Sequence, residues 1–230
     1  FDVGEKISKR LTREMVEDAK QVILALGLPV VQAPGEGEAQ ASFIVSKGDA
    51  YAIASQDADS LLFGAARLVR NLSIEGRRKQ QGVLGYEKVM PELILLGEVL
   101  SSLGISQEQL ICLAMLVGTD YNTGGIKGIG PKTALKMVKE HKTPARIFAA
   151  VDWSKHFSYS WQEVYELFIK PDVTGAYDIK FSAMNKAKLT KLLCEQHDFS
   201  AQRVENQLAE LEEQKAAKKQ KGLGEFFGQK

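Results

Sequence analysis

The chain has 230 residues, enough to bury a sizeable core in one or two domains, and its 44% hydrophobic and 26% charged content is ordinary for a globular protein. No stretch approaches the ~18 consecutive apolar residues of a membrane span, and two cysteines are too few for a disulfide framework. These features argue against a membrane-spanning or disulfide-stabilised secreted protein and predict an intracellular one. Because the formal net charge is only +1, nucleic-acid binding would depend on local basic clusters.

Basic residues occur in three such clusters. A run of charge is most often a solvated surface, so these clusters carry weight only beside other features. The members are Lys6, Lys9, Arg10 and Arg13, then Arg67, Arg70, Arg77, Arg78 and Lys79, then Lys127, Lys132, Lys136 and Lys139.

Helices and strands alternate in the first third of the chain. Thr12 is a typical cap for a helix over 12–26, which Gly27 ends. A short strand is predicted at 29–33, a helix at 36–47, and further strands at 51–55 and 68–72. This alternation predicts an α/β fold with a mostly parallel central sheet flanked by helices.

The rest of the chain is predicted to be helical. Ser106 caps a helix over 107–117, a glycine-rich segment follows, and Pro131 starts a helix over 131–141. Several helices are expected between 144 and 214. From Lys215 the chain becomes Lys-rich and then Gly-rich, which predicts a flexible tail. The predicted divisions are an α/β part over 1–105, a helical region over 106–214 and a tail over 215–230.

Five carboxylates stand in three tight groups where apolar segments end or helices begin: Glu36 and Glu38, Asp57 and Asp59, and Asp120. Ligands of open α/β sheets bind beyond the carboxyl ends of the strands, so these groups are expected to meet there. If the chain stays extended after strand 51–55, both aspartates point to one side. On a helix, residues two apart diverge by about 200°, so one glutamate is expected to bind metal directly and the other through water or a second ion.

Each acid alone has an ordinary explanation, because acidic residues suit helix N-termini and turns. Four gathered at two neighbouring strand ends would repel one another severely without cations. Oxygen ligands without His or Cys favour Mg²⁺ or Mn²⁺. Two such ions ~3.5–4 Å apart are suited to phosphodiester hydrolysis, so the pattern predicts a catalytic and metal site at all five residues.

The segment after Asp120 is a candidate phosphate grip, here named the glycine hairpin (residues 124–132, GGIKGIGPK). Its glycines permit a sharp turn and a close approach of the backbone to a ligand. Backbone amides around Gly128 and Gly130, the N-terminus of the next helix, Lys132 and Lys136 together predict an anion site suited to the DNA backbone rather than to base sequence. A plain tight turn between two helices remains the alternative.

The chain resembles the flap endonucleases, the structure-specific 5′-nuclease family, and its glycine-rich variants resemble the archaeal members. Order and spacing of the motifs match over roughly residues 1 to 200. The matching segments are 33–40 (APGEGEAQ), 56–64 (QDADSLLFG), 118–121 (GTDY) and 125–132 (GIKGIGPK).

The resemblance implies a PIN-like 5′-nuclease core, with a helix–two-turn–helix DNA-binding region, that cuts 5′ flaps near the single-strand/duplex junction in replication and repair. It implies two Mg²⁺ or Mn²⁺ ions and a K⁺ ion at the hairpin, placed around Asp120, Ile126 and Ile129. The implied location is cytoplasmic in an archaeon, or nuclear in a eukaryote. Family members also have an amino-terminal region with two further metal aspartates and a helical arch. The chain is therefore expected to carry five of seven metal carboxylates and to be inactive, or nearly so, alone.

The end of the chain fits the pattern by which replication proteins bind a sliding clamp of the PCNA type. Gln220 would enter a small pocket, while Leu223, Phe226 and Phe227 would form a hydrophobic plug on one 3₁₀ turn. A flexible basic linker before the motif would raise the effective concentration of a tethered enzyme at DNA.

Three alternatives stay open at this point. A sibling nuclease of repair or recombination would share the carboxylates. A non-catalytic module that binds DNA or the clamp would retain the hairpin and tail, but would give no reason for five clustered carboxylates. An RNA-cleaving nuclease with a related sheet would share the acids without the glycine hairpin.

Overall fold

The computed structural model describes residues 11–72, 77–79 and 86–227, and among these the side chains of 77–79, 86–88, 215 and 217–227 are not described. Its helices are α1 Arg13–Ala25, α2 Gly37–Ser46, α3 Asp59–Leu62, α4 Leu96–Leu103, α5 Gln107–Val117, α6 Pro131–His141, α7 Pro144–Ala150, α8 Trp161–Ile169, α9 Lys186–Thr190 and α10 Ala201–Phe227, with a 3₁₀ helix at Trp153–Lys155 and a π-helix at Lys191–Gln196. The strands are β1 Ile53–Ala54, β2 Arg67–Arg70, β3 Arg77–Lys79, β4 Tyr86–Lys88 and β5 Glu92–Leu95.

The chain divides into two compact units, and the division is discontinuous. The central unit spans Gln32–Gly175, and the terminal unit joins the residues up to Val31 with those from Ala176 onward. Boundaries at 105 and 214, predicted from the sequence, differ from this division. Local patterns reveal where elements begin and end, whereas the pairing of α1 with α9, more than 150 residues later, is a tertiary contact.

The central unit contains a small sheet in the order β1-β2-β5 and a separate hairpin of β3 and β4. Ile53 lies opposite Leu68 in the parallel pair β1–β2, and Leu68 opposite Ile94 in the antiparallel pair β2–β5. The described sheet is thus mixed rather than mostly parallel. The strand predicted at 29–33 is wrong: no described strand pairs with this segment, and Pro29 lacks the N–H needed for a ladder.

The helices begin where the sequence predicted. The Thr12 hydroxyl accepts a hydrogen bond from the Met15 amide at 3.2 Å, and Ser106 forms a reciprocal capping box with Gln109. A second capping box joins Ser160 to Glu163 at the start of α8. Each cap satisfies backbone N–H groups that the first turn of a helix leaves unpaired. The predicted helices 107–117 and 131–141 match α5 and α6.

Helix α5 forms the middle of the central core. Its residues Ile111, Met115 and Leu116 are fully buried, and it contacts α3, α6, α7 and α8. Burial of each such side chain contributes about 1.5–3 kcal/mol. Packing on several sides therefore makes the carboxyl end of α5, where Asp120 follows, a rigid base for the loop beyond it.

The terminal unit packs α1 against α9, the π-helix and α10. Its core is Ala25, Leu189, Leu192, Val204 and Leu208. Helix α10 continues to Phe227, where the sequence predicted a flexible tail from residue 215. Residues 205–220 are rich in Glu, Ala, Lys, Gln and Leu, which are strong helix formers, and this accounts for the difference.

Among the described helices, no single one is long and apolar enough to cross a membrane. One pair bent by 77°, Leu96–Leu103 with Gln107–Val117, meets the criteria of length and composition when the two are taken together.

Candidate functional site

The first group of carboxylates lies at the N-terminus of α2. Glu36 is the N-cap residue and Glu38 lies in the first turn, where the helix dipole favours negative charge. Buried Gln40 fixes this turn: its side-chain amide donates to the Thr174 carbonyl at 2.9 Å and accepts from the Thr174 amide at 2.8 Å. The Ser42 hydroxyl donates to the Glu38 carbonyl at 2.6 Å. These hydrogen bonds fix the backbone of the first turns of α2, from which both glutamate side chains extend.

The second group follows β1. The chain does not stay extended there, because Ala58 is in the right-handed helical region and α3 begins at Asp59. A carboxylate oxygen of Asp57 accepts a hydrogen bond from the Asp59 amide at 3.0 Å. The expectation of an extended segment at 57–59 is therefore wrong. A turn stabilised by an aspartate side chain brings the two acids together instead.

Asp120 lies in the loop that follows α5, and a buried asparagine holds this loop in place. The Asn122 amide donates to the Met115 carbonyl at 2.7 Å, and its oxygen accepts from the Thr119 hydroxyl at 2.6 Å. Asn122 is fully buried. These hydrogen bonds fix the loop to the last turns of α5 and so define where Asp120 lies.

All five predicted carboxylates line one cavity of about 50 Å³, here named the carboxylate cavity. That volume is on the scale of ions and a few water molecules. Two aromatic residues complete its wall. The lining residues are Glu36, Glu38, Asp57, Asp59, Phe63, Asp120 and Tyr121.

The electrostatics of the carboxylate cavity disfavour negative charge. The pKa of Asp59 is raised above its usual value, first by burial and then by the charges of Asp57, Asp120, Glu38 and Glu36. A carboxyl group that resists ionisation next to four others indicates a site where cations would lower the free energy.

The side chains that line the carboxylate cavity have the chemistry of a divalent-cation site. Among the described residues, no group of three or more His, Cys, Asp or Glu side chains is arranged as a ready-made metal site. The carboxylate cavity nevertheless presents only oxygen donors with a common negative charge, the donor set that Mg²⁺ and Mn²⁺ require.

The glycine hairpin begins two residues after Asn122. Gly124, Gly125 and Gly128 have positive φ angles of 83°, 57° and 87°. At Gly125 a Cβ atom would overlap the Val117 carbonyl, so only glycine fits there. The Ile126 amide donates to the Leu116 carbonyl at 2.9 Å, which ties the hairpin to the end of α5.

The predicted phosphate-binding residues share the exposed side of this hairpin. Gly128 and Gly130 have no atom within 4 Å of an added Cβ, so a ligand can approach their backbone. Gly130 is the N-cap of α6, and both Lys132 and Lys136 are exposed on that helix one turn apart. Backbone amides, a helix N-terminus and two ammonium groups thus face solvent on one element.

Fewer structural observations bear on the predicted K⁺ site and the predicted clamp-binding site. Ile126 is buried, and its carbonyl already accepts a hydrogen bond from the Ile129 amide at 3.0 Å. The K⁺ position around these residues and Asp120 stays a prediction. The clamp-binding side chains lie outside the described ones: Gln220, Leu223, Phe226 and Phe227.

Sequence reasoning missed Tyr121 and Phe63 as walls of the carboxylate cavity. The Tyr121 ring packs edge-on against the Phe168 ring, with 5.2 Å between their centroids. The Phe63 ring also contacts Phe168, with 5.3 Å between those two centroids. Burial, then the charges of Glu36 and Asp59 and a hydrogen bond with Glu36, raise the pKa of Tyr121 to about 12. The available signal was the position of Tyr121 next to Asp120.

The chain is similar to proteins of known family. Residues 27–120 match the family model described as XPG I-region. A flap endonuclease 1 from Hyperthermus butylicus is 51% identical over 90% of the chain and 59% of its own length, and one from Thermococcus onnurineus is 48% identical over 100% of the chain and 67% of its own length. The chain belongs to the flap endonuclease family.

A solved structure extends this similarity to the fold. The flap endonuclease-1 from Methanococcus jannaschii superposes with a TM-score of 0.73 at 39% identity, covering 88% of this chain and 58% of that one. The predicted α/β class with a 5′-nuclease core is thereby confirmed, as is the predicted resemblance to archaeal members. The chain spans about three fifths of the length of two of these three relatives.

Proposed function

We propose that the chain carries the catalytic carboxylates and the DNA grip of a structure-specific 5′-flap endonuclease that hydrolyses phosphodiester bonds in replication and repair. The observation that carries this proposal is the convergence of five carboxylates, from three distant segments, on one small cavity. Membership of the flap endonuclease family supports it, as do the names of the relatives.

The carboxylates would hold two Mg²⁺ or Mn²⁺ ions. When bound, such ions supply Lewis-acid activation of a phosphodiester and of the attacking water. Glu36 and Glu38 approach the carboxylate cavity from α2, Asp57 and Asp59 from the turn after β1, and Asp120 from the loop after α5. Because three separately anchored segments contribute, the ligands are held without depending on a single flexible loop.

The glycine hairpin would hold the duplex. Amides around Gly128 and Gly130 and the ammonium groups of Lys132 and Lys136 offer contacts to phosphate oxygens and none to a base edge. This chemistry supports recognition by shape rather than by sequence. Since Asp120 lies four residues before the hairpin, duplex binding would place the phosphate backbone beside the carboxylate cavity.

Two further partners belong to the proposal. A K⁺ ion at the hairpin would bridge protein and DNA, with Asp120, Ile126 and Ile129 nearby. A sliding clamp of the PCNA type would bind Gln220, Leu223, Phe226 and Phe227, and α10 would then present the motif at the end of a helix.

The test is cleavage of a labelled 5′-flap DNA in Mg²⁺, by the chain alone and after addition of the amino-terminal segment of an archaeal relative. We expect a cut near the single-strand/duplex junction in the second reaction. Asp59→Asn should abolish it while leaving DNA binding intact. The matched control is Asp178→Asn at an exposed aspartate, which should cut normally.

Two outcomes would contradict the proposal. Flap DNA left uncut in both reactions, with duplex binding retained, would favour a non-catalytic DNA-binding module. Full cutting by Asp59→Asn would remove this residue from the site. Cutting by the chain alone would instead refute the expectation that five carboxylates are insufficient.

A further inference from the structure

Tyr121 connects the separate segments of the carboxylate cavity. Its side chain lines the carboxylate cavity beside Glu36, which lies at the start of α2, while its backbone follows Asp120 in the loop after α5. Glu36 makes no capping hydrogen bond within its own helix, so its carboxylate is available to a donor on the wall of the cavity.

The Tyr121 ring has little freedom. It packs edge-on against Phe168, whose side chain is 3% exposed on α8. Its backbone carbonyl accepts a hydrogen bond from the Tyr159 hydroxyl at 3.2 Å. Tyr159 is held in turn, because its own carbonyl accepts from the indole N–H of buried Trp153 at 2.8 Å. The phenol that meets Glu36 is therefore fixed through its ring and its backbone.

We propose that Tyr121 is a positioning residue: its hydroxyl donates to Glu36, directs that carboxylate into the cavity, and couples the position of α2 to the Asp120 loop. This inference deepens the proposed function and rests on it. A neutral donor suits the task, because it stabilises one carboxylate oxygen, leaves the other for a cation, and adds no charge to the cavity.

The chemistry of the side chain allows a clean test. Phenylalanine at 121 keeps the ring and its packing on Phe168 but removes the donor to Glu36. Loss of a hydrogen-bond partner of a ligating carboxylate typically lowers metal affinity by about 10–100-fold. Tyr165→Phe is the matched control, since Tyr165 is also a half-buried tyrosine of the central core but does not line the carboxylate cavity.

The experiment titrates Mn²⁺ alone into the metal-free chain and measures free Mn²⁺ by electron paramagnetic resonance. Tyr121→Phe should raise the Kd about tenfold, while Tyr165→Phe should leave it within about twofold. Tyr159→Phe, which releases only the Tyr121 carbonyl, should raise the Kd about threefold. Tyr121→Phe and Tyr159→Phe should lower the thermal midpoint of the metal-free chain by similar amounts, so a merely structural role would predict equal losses of Mn²⁺ affinity.

A double variant tests whether Tyr121 affects Mn²⁺ affinity through Glu36. In a Glu36→Gln background, Tyr121→Phe should cause no further loss of Mn²⁺ affinity. A wild-type Kd in Tyr121→Phe, or an undiminished loss in the Glu36→Gln background, would overturn the positioning role while leaving the proposed nuclease function intact. Absence of Mn²⁺ binding by wild type would overturn the metal site itself, and the role of Tyr121 with it.

Discussion

The carboxylate cavity and the glycine hairpin are neighbours in the chain, yet opposite forces govern them. In the cavity, burial and then the charges of four neighbouring carboxylates raise the pKa of Asp59, so the surroundings oppose its ionisation. In the hairpin, backbone hydrogen bonds and tight glycine contacts hold the chain without side-chain charge. The difference teaches that charge repulsion limits the arrangement of the carboxylate cavity, whereas backbone space limits that of the glycine hairpin.

The largest expected effect is the loss of stability when a crowded glycine of the hairpin is replaced by alanine. Gly125→Ala would place a Cβ against the Val117 carbonyl at a positive φ, and overlap plus strain should lower the free energy of unfolding by about 3–5 kcal/mol. Gly128→Ala shares the positive φ but meets open space, so it should lose only about 1–2 kcal/mol. Urea unfolding of both variants measures the difference. Equal losses would show that crowding at Gly125 is unimportant.

Next in size is the effect of Mg²⁺ on stability. Ions that bind only the folded chain stabilise it by about 2.7 kcal/mol at 100 times their Kd. We therefore expect Mg²⁺ to raise the thermal midpoint of wild type and to have little effect on Asp59→Asn. Ca²⁺-free buffers with a chelator supply the reference. A similar rise in both proteins would place ion binding outside the carboxylate cavity.

A smaller effect is expected on DNA affinity when the lysines that follow the hairpin are replaced. Replacing Lys132 and Lys136 with alanine should weaken duplex DNA binding by about tenfold and reduce the dependence of log Kd on log salt by about one per lysine. Lys180→Ala, at an exposed lysine of the terminal unit, is the control. Fluorescence anisotropy over a salt series gives both quantities. An unchanged slope would exclude these lysines from phosphate contacts.

The smallest effect concerns pH. The folded chain binds the Asp59 proton more tightly than the unfolded chain does, because the pKa is raised from its usual value near 3.8. Metal-free wild type should therefore lose stability as pH rises from that value through the raised one. Asp59→Asn should lack this part of the loss. Unfolding midpoints of the two proteins over a pH series, in chelator, would refute the assignment if they ran parallel.

Much of the site could be predicted from residue types. The carboxylates, the glycines and the capping residues Thr12 and Ser106 act through local chemistry, so motif and spacing were sufficient. The turn at Asp57 was missed because its geometry depends on a side-chain hydrogen bond to the Asp59 amide, which competes with extension of β1. The prediction of a strand at 29–33 was wrong because a strand forms only when its backbone groups pair with a neighbouring strand, and no described strand pairs with this segment.

The sequence by itself determined the donor set, the glycine hairpin and the family, since these depend on which atoms are present and in what order. Only the tertiary structure decided that three segments meet in one cavity, that Tyr121 contacts Glu36, and that both ends of the chain contribute to one unit. The physical reason is the sequence separation over which each interaction acts. Caps, turns and periodicity act over a few residues, whereas the contact between Glu36 and Tyr121 joins positions 85 residues apart and forms only when the core beneath them packs.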